Sequence, residues 1–279
     1  MNYQQIFNLV KQDMDIINNA LSEKLNLNTT PVVQELKQFL KAPAKRIRPL
    51  LTVLYLKAAK KELTTNHYKL LAAIELVHNA SLIHDDVIDD AGVRRGQKTM
   101  NIIFNPKIAV IAGDYLLACA LGYINEINNF KIIEKFANTL DCMCAGEFSQ
   151  YFSRNKIPSL DAYLKKNEQK TAKLFMTALE CSMLISSAET ENALNFAKNF
   201  GIAFQIKDDL TNILTTKSDI KSGIYTAPVI LSGSVDNPAI EKTRSLLNNY
   251  ICNALQCINC FESSTYKTAL QSLAEIYAK

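Results

Sequence analysis

A chain of 279 residues can bury a sizeable core, as one large domain or two ordinary ones, and its 8 glycines and 7 prolines leave few breaks in regular structure. Its net charge of +4, from 31 basic and 27 acidic side chains, neither demands nor excludes a polyanionic partner. No basic run interleaved with aromatics is present, which argues against nucleic acid. Strict polar–apolar alternation is scarce, so the expected class is all-α.

Residues 2 to about 26 are expected to form one amphipathic helix, with Ile6, Leu9, Val10, Ile16, Ile17 and Leu21 on one side. No basic segment leads into an apolar one there, so no signal peptide is read. Pro31 opens a short helix ending near Lys41. Lys45, Arg46 and Arg48 then cluster around Pro43 and Pro49, just before an apolar helix over 50–59. Cations are misplaced at a helix N-terminus unless both serve a shared anion, which is the composition of a phosphate site. A solvated basic loop is the alternative.

From Leu70 the apolar residues Leu71, Ile74, Val77 and Leu82 recur at helical spacing, and the pattern closes on His84-Asp85-Asp86-Val87-Ile88-Asp89-Asp90. Carboxylates at a helix C-terminus oppose its partial negative charge. Asp85 and Asp89 share a face with Asp86 beside them, and oxygen ligands so placed suit a hard divalent cation such as Mg2+, which keeps positions for substrate phosphates. A solvated acidic helix end is the competing reading. The loop over 91–106 carries Arg94, Arg95, Gly96, Lys98 and Thr99, and two adjacent arginines can grip phosphate oxygens bidentately.

Helices are expected over 108–125 and 129–152. The apolar stretch 108–124, interrupted by Gly113-Asp114, is short for crossing a bilayer, so no membrane span is expected. A helix over 160–187 bears Lys165, Lys166, Lys170, Thr171 and Lys173, lysines of the kind that usually form a solvated face. The helix over 193–214 repeats the acidic ending with Asp208 and Asp209, and Asn212 shares the face of Asp208. Two such helix ends turned toward each other would hold several metal ions. A polar loop over 215–226 contains Lys217, and residues 236–279 read as helical scaffold. With no linker, one domain over 1–279 is expected. Seven cysteines lack framework spacing, and Cys257 and Cys260 lack a second pair for zinc, so they are read as buried free thiols in a cytoplasmic protein.

Six of these segments, in order across 45–228, resemble motifs of the trans-isoprenyl diphosphate synthases, the polyprenyl synthetase family. Lys45-Arg46-Ile47-Arg48-Pro49 is similar to KRxRP, Glu75 through Asp89 to ExxHxxSLIHDDxxD, and Arg94-Arg95-Gly96 to the arginine pair. Gly113-Asp114-Tyr115-Leu116-Leu117 is similar to GDxLL, Lys170-Thr171-Ala172 to KTA, and Phe204-Gln205 through Asp209 to FQxxDD. The resemblance implies an isoprenoid-synthase-type helical bundle around a central cavity, a homodimer, and Mg2+-dependent head-to-tail condensation of isopentenyl diphosphate with an allylic diphosphate. By the same resemblance Asp85, Asp86 and Asp89, with Asp208, Asp209 and Asn212, hold the metal. Arg94, Lys170 and Lys217 complete the allylic diphosphate clamp, while Lys45, Arg48, His78 and Arg95 bind isopentenyl diphosphate. Thr171 and Gln205 sit near the developing cation, and the released diphosphate accepts the proton.

His78 and Asp85 lie on one helical stripe about 10 Å apart at 1.5 Å per residue, compatible with one helix serving two neighbouring anions. A buried, hydrogen-bonded core histidine is the alternative for His78. Two departures from the family pattern stand out: position 212 is Asn where the family usually has an acid, and Gly223-Ile224-Tyr225-Thr226 lacks the lysine of GKxT. The loop before it is also short, which loosens the assignment of Lys217. Ala80 and Ser81, one turn before Asp85, are small, and in the family an aromatic residue there closes the cavity to long products. A medium or long, octaprenyl-like product is therefore expected, and the stretch Gly146-Glu147-Phe148-Ser149-Gln150 resembles long-chain members. A short-chain farnesyl or geranylgeranyl synthase is the alternative. Other readings are a weakly active or regulatory subunit of a heteromeric synthase, a terpene cyclase, which would not need Lys45, Arg48 and His78, and a phosphohydrolase using His84-Asp85, which would need more histidines than His67 and His78.

Overall fold

Apolar stripes at helical spacing become helices nearly throughout the computed structural model, which describes residues 1–25 and 30–278. The N-terminal segment is two helices rather than one, α1 (Tyr3–Leu9) and α2 (Lys11–Glu23). Val10 leaves helical geometry at φ -126° and ψ 21°. Ile6, Val10, Met14, Ile17 and Leu21 are all buried, so the stripe runs on through the break and periodicity cannot report it. The expected end at residue 26 lies outside the described residues.

Helix α3 (Pro31–Lys41) starts on its proline, whose missing N–H costs nothing in a first turn. Helix α4 (Ile47–Ala58) begins earlier than the apolar run, so Arg48 and Pro49 lie in its first turn rather than in a preceding loop. Helix α5 (Thr65–Ile88) also starts early, because the Thr64 N–H donates to His67 Nδ1 at 3.0 Å and caps the end. Where an open loop was expected, β1 (Val93–Arg94) and β2 (Gln97–Lys98) pair antiparallel. Arg95 and Gly96 turn the hairpin with φ of +52° and +77°, the mirror-image turn that follows strand twist. Then come α6 (Met100–Ile103), α7 (Pro106–Ile127) and α8 (Phe130–Phe152). At 22 residues α7 is longer than the stretch read from sequence, and by length and composition it could cross a membrane. It packs along α5, as a core helix does.

The segment expected as one helix over 160–187 is interrupted: α9 (Leu160–Asn167), a π-helical turn (Glu168–Ala172), then α10 (Lys173–Ile185). Helix α11 (Glu191–Thr215) is followed by α12 (Ser218–Lys221), a short helix inside the expected loop. Three more helices complete the chain, α13 (Ala227–Ser232), α14 (Asn237–Gln256) and α15 (Thr265–Ala278).

The chain forms two compact units that interleave in sequence, so no single linker separates them. One comprises Val10–Val53 and Leu63–Ile133 and is organised on α5, with α2 and α7 along it. The other comprises Met1–Leu9, Leu54–Glu62 and Glu134–Lys279 and is organised on α11, against which α10, α14, α15 and the π turn pack. Its core holds a run of rings, Tyr55, Phe196, Phe200, Phe175, Phe204 and Tyr277, whose successive centroids lie 5.1–6.1 Å apart. All seven cysteines are free, but only Cys119 and Cys181 are buried. The expectation of buried thiols fails for the others: Cys142 and Cys257 are half-buried, and Cys144, Cys252 and Cys260 are exposed.

Candidate active site

Helix α5 ends in a Schellman arrangement: the Ala91 N–H reaches the Asp86 carbonyl at 2.9 Å while Asp90 adopts φ +51°. That turn sends the chain back toward the hairpin, whose Arg94 donates from Nε to Asp86 Oδ1 at 2.7 Å. Asp86 is 2% exposed, and burial raises its carboxyl pKa against the lowering effect of Arg94. Asp86 thus anchors the hairpin, and Arg94, expected in the diphosphate clamp, is engaged with it. Asp85 is half-buried and Asp89 exposed, so these two are the carboxylates presented at the surface.

About two turns back along α5, His78 is half-buried, and its imidazole pKa lies well below the ordinary 6.5 because of burial and then of Arg48, Arg95, Arg46 and Arg94. A neutral ring beside four guanidiniums is a site short of negative charge. Arg46, buried at φ +49°, ties this region together. Its Nη1 lies 3.2 Å from Glu75 Oε2, its Nε donates to Asn18 Oδ1 at 3.2 Å, and its Nη2 meets the Leu40 carbonyl at the end of α3. With Arg46 holding the segment, Arg48 is buried in the first turn of α4, whereas Lys45 is exposed. Arg95 is exposed at the hairpin tip. His84 turns toward α7, with Nε2 3.2 Å from the Val110 carbonyl and 3.4 Å from Asp114 Oδ1. A Cβ on Gly113 would come within 2.2 Å of that ring, so Gly113-Asp114 is a seat for His84. His84 therefore belongs to helix packing, which removes the phosphohydrolase reading.

In the other unit, two glycines bring helices onto the π turn. A Cβ on Gly146 of α8 would lie 2.8 Å from the Lys170 nitrogen, and one on Gly201 of α11 would lie 2.6 Å from the Ala172 Cα. The turn carries Lys170 and Thr171, and wide π turns recur at functional sites. Thr171 Oγ1 donates to Gln205 Oε1 at 2.6 Å, Gln205 Nε2 to Asp209 Oδ1 at 2.7 Å, and the Tyr163 hydroxyl to Asp209 Oδ2 at 2.6 Å. Asp209 is 3% exposed with both oxygens engaged, which leaves Asp208 as the exposed acid of the pair. Lys170 pairs with Glu147 of α8. The Asn212 amide donates to Ser218 Oγ at 2.7 Å and its Oδ1 accepts from the Asp219 N–H at 3.3 Å, so it pins α12 to the end of α11. Lys217 is exposed at the start of α12 with φ +53°.

In each unit the second aspartate of the pair is tied to one other expected site residue, Asp86 to Arg94 and Asp209 to Gln205, and each unit adds residues that no sequence motif marked. Arg46 lay inside a motif without a role, Glu147 lay in a stretch read only for product length, and Tyr163 in no motif at all. Pairings such as Tyr163 with Asp209, 46 residues apart, leave no trace in periodicity.

Among the described residues no group of three or more His, Cys, Asp or Glu could by itself hold a metal ion. The donors presented suit Mg2+ nonetheless: it binds through one or two carboxylates and fills its remaining positions with water and substrate phosphates, which is what Asp85 with Asp89, and Asp208, offer.

Residues 30–267 match the family described as polyprenyl synthetase. The chain belongs to the polyprenyl synthetase family. It is 34% identical over 237 residues to a prenyl transferase of Cyanidium caldarium, covering 80% of this chain and 73% of that one. It is 31% identical over 288 residues to the chloroplastic solanesyl diphosphate synthase 1 of Arabidopsis thaliana, covering 97% of this chain and 70% of that one. The fold superposes with a TM-score of 0.90, at 25% identity and over 99% of this chain and 97% of the other, on a polyprenyl synthase from Caulobacter crescentus complexed with calcium and isoprenyl diphosphate. As a polyprenyl synthetase the protein is a prenyltransferase with the all-α fold of isoprenoid synthases.

Proposed function

We propose that this protein condenses isopentenyl diphosphate head-to-tail onto an allylic diphosphate, with Mg2+, to give a medium or long polyprenyl diphosphate. The observation that carries the reading lies on one helix. Helix α5 presents the carboxylates of Asp85 and Asp89 at its end and, about 10 Å back, His78 beside Arg46, Arg48, Arg94 and Arg95. The first place suits a diphosphate that arrives with metal, the second a diphosphate held by protein cations alone.

Asp85 and Asp89 at the end of α5, and Asp208 at the end of α11, are the accessible acids that would bind Mg2+; Asp86 is buried against Arg94, and Asp209 against Tyr163 and Gln205. Bound there, the metal would supply neutralisation of the leaving diphosphate. Lys170, set by the π turn and Glu147, adds a cation to that group. Thr171 and Gln205, hydrogen-bonded to each other, offer oxygen dipoles toward the allylic carbon as positive charge develops. Arg48, Arg95, Lys45 and neutral His78 bind isopentenyl diphosphate, whose own diphosphate does not leave. Its double bond attacks the allylic carbon, and the departed diphosphate takes the proton lost from the product.

Product length is set on the stripe leading back from Asp85. Ala80 is fully buried, whereas Ser81 is half-buried, with its hydroxyl donating to the His78 carbonyl at 2.9 Å. Ser81 is therefore the small residue that leaves room for a chain, and Ser81→Phe should shorten the product without the overpacking that Ala80→Tyr would bring. Homodimer formation is proposed through the outer face of α7, where Val110, Ile111 and Leu121 are 42%, 61% and 49% exposed.

Incubation with Mg2+, labelled isopentenyl diphosphate and farnesyl diphosphate, followed by chromatography of the extract, tests this. A ladder ending at a defined polyprenyl diphosphate beyond C20 supports it. The engagement of Asn212 with Ser218 favours a second reading, a subunit of a heteromeric synthase with little activity alone. Absence of incorporation with every allylic starter would establish that reading instead.

A further inference from the structure

Lys166 of α9 does not belong to the solvated face that its neighbours suggest. Lys165 is exposed, but Lys166 is half-buried. Its ammonium lies 5.2 Å from the centroid of the Tyr163 ring, and among the described residues it forms no ion pair or hydrogen bond. Lys170, one turn on, is by contrast spoken for by Glu147.

What Lys166 faces is a cavity of about 60 Å³, lined also by Ser149, Gln150, Ser153, Gly223 and Tyr225. That is room for several waters or one phosphoryl group, and hydroxyls, an amide and the exposed Lys156 also line it. Gly223 sits there at φ +73°, and a Cβ on it would meet Asn155 Oδ1 at 2.2 Å, so the backbone forms the cavity edge itself. Ile224 and Tyr225 bring no cation to that edge.

The cavity adjoins the acidic end of α11 through one residue. Tyr163 carries the Lys166 ammonium on its ring and donates its hydroxyl to Asp209 Oδ2 at 2.6 Å. Asp209, Lys170, Asp219 and Glu147 are the charges that act on Lys166, and burial is the main force lowering its pKa. An ammonium kept half out of water, with attraction from acids already engaged elsewhere, is stabilised when an anion arrives.

We propose that Lys166 is a further substrate-binding residue, whose ammonium, stacked on Tyr163, takes a phosphoryl oxygen of the allylic diphosphate alongside Lys170. The proposal deepens the functional reading above and rests on it for the identity of the ligand. It assigns Tyr163 two tasks, orienting Asp209 and supporting the Lys166 cation. It also explains why the loop after α11 can do without a lysine at Ile224: the cation is supplied from α9.

The test compares wild type, Lys166→Met and Lys166→Arg in two measurements. Titration with inorganic diphosphate in the presence of Mg2+ reads anion affinity without requiring turnover. Steady-state kinetics read KM for farnesyl diphosphate and for isopentenyl diphosphate separately. Lys166→Met should weaken diphosphate binding and raise KM for farnesyl diphosphate by about 10- to 100-fold, the loss of one charge-assisted hydrogen bond, with KM for isopentenyl diphosphate and Tm unchanged. Lys166→Arg should restore most of the affinity. Unchanged diphosphate affinity in Lys166→Met overturns the proposal, as does an equal loss in both variants accompanied by a lowered Tm, which would mark a packing role. If wild type binds diphosphate through Lys166 but incorporates no isopentenyl unit, the anion site stands and the functional reading fails.

Discussion

The acidic ends of α5 and α11 follow one plan up to their third position. In each, the second aspartate of the pair is buried and fixed, Asp86 by Arg94 and Asp209 by Tyr163 with Gln205. In each, the first aspartate, Asp85 or Asp208, is left accessible. One helical turn later α5 presents a second carboxylate, Asp89, while α11 has Asn212 with both its amide atoms used to hold α12. A neutral amide that donates to a serine is a poor ligand for a hard cation, whereas an exposed carboxylate is a good one. On the proposed reading, this contrast would give α5 the stronger metal grip and α11 a lighter, single-carboxylate one.

Removing charge from the stronger site should cost most. Asp85→Asn is expected to lower kcat by about 10³-fold or more, and Asp208→Asn by about 10²-fold, since each removes charge stabilisation realised as the diphosphate leaves. Steady-state kinetics at saturating Mg2+ check the order; equal losses would break the comparison.

The next effect concerns the packing that positions Lys170. Gly201→Ala would set a methyl 2.6 Å from the Ala172 Cα, a backbone atom that cannot swing away. Such overpacking costs about 1–3 kcal/mol. Denaturant unfolding should show that loss, and because the π turn must shift, KM for the allylic substrate should rise as well. A destabilised protein with unchanged KM would mean that the turn does not position the clamp.

His78 gives a pH-dependent effect. Its folded pKa is depressed, so on acidification the unfolded chain takes up a proton that the folded chain refuses. The stability linked to it is fully present above the unfolded pKa of about 6.5 and is lost as pH falls through that value toward the lower folded one. Thermal unfolding between pH 7 and pH 5 should show a smaller drop in Tm for His78→Asn than for wild type. Parallel drops would show that burial, with the four arginines, does not hold this ring neutral.

The smallest effect restores the symmetry of the two helix ends. Asn212→Asp supplies the missing carboxylate, and Ser218 can donate to it in place of accepting. The Mg2+ concentration needed for half-maximal activity should fall about 2- to 5-fold, a modest gain because the aspartate must still hold α12. No change would place position 212 outside the metal's reach.

What could be read from the sequence was whatever lies within one helix. Asp85 and Asp89 share a face by spacing alone, as do Asp208 and position 212, and the stripe from His78 to Asp85 needs only 3.6 residues per turn. What could not be read depends on partners far along the chain or on departures from that period. The π turn shifts the phase between Lys166 and Lys170, and no residue type announces it. The glycines that admit it, Gly146 and Gly201, look in sequence like ordinary weak points of a helix. Arg94 and Arg95 are adjacent in sequence but part at the hairpin, one turned to Asp86 and the other at the tip, because the turn places Arg95 at positive φ. Asn212 read as a metal ligand because the helix period puts it there; its two hydrogen bonds to α12 are visible only in the folded chain.

The most direct test of the central claim is a Mg2+ titration of binding to farnesyl thiolodiphosphate, an analogue that ionises poorly, by wild type, Asp89→Asn and Asp208→Asn. If α5 carries the stronger metal grip, Asp89→Asn should lose nearly all Mg2+-dependent binding, and Asp208→Asn should retain it with a raised Mg2+ requirement. Binding that survives Asp89→Asn but vanishes in Asp208→Asn, or that never depended on Mg2+, would contradict the account.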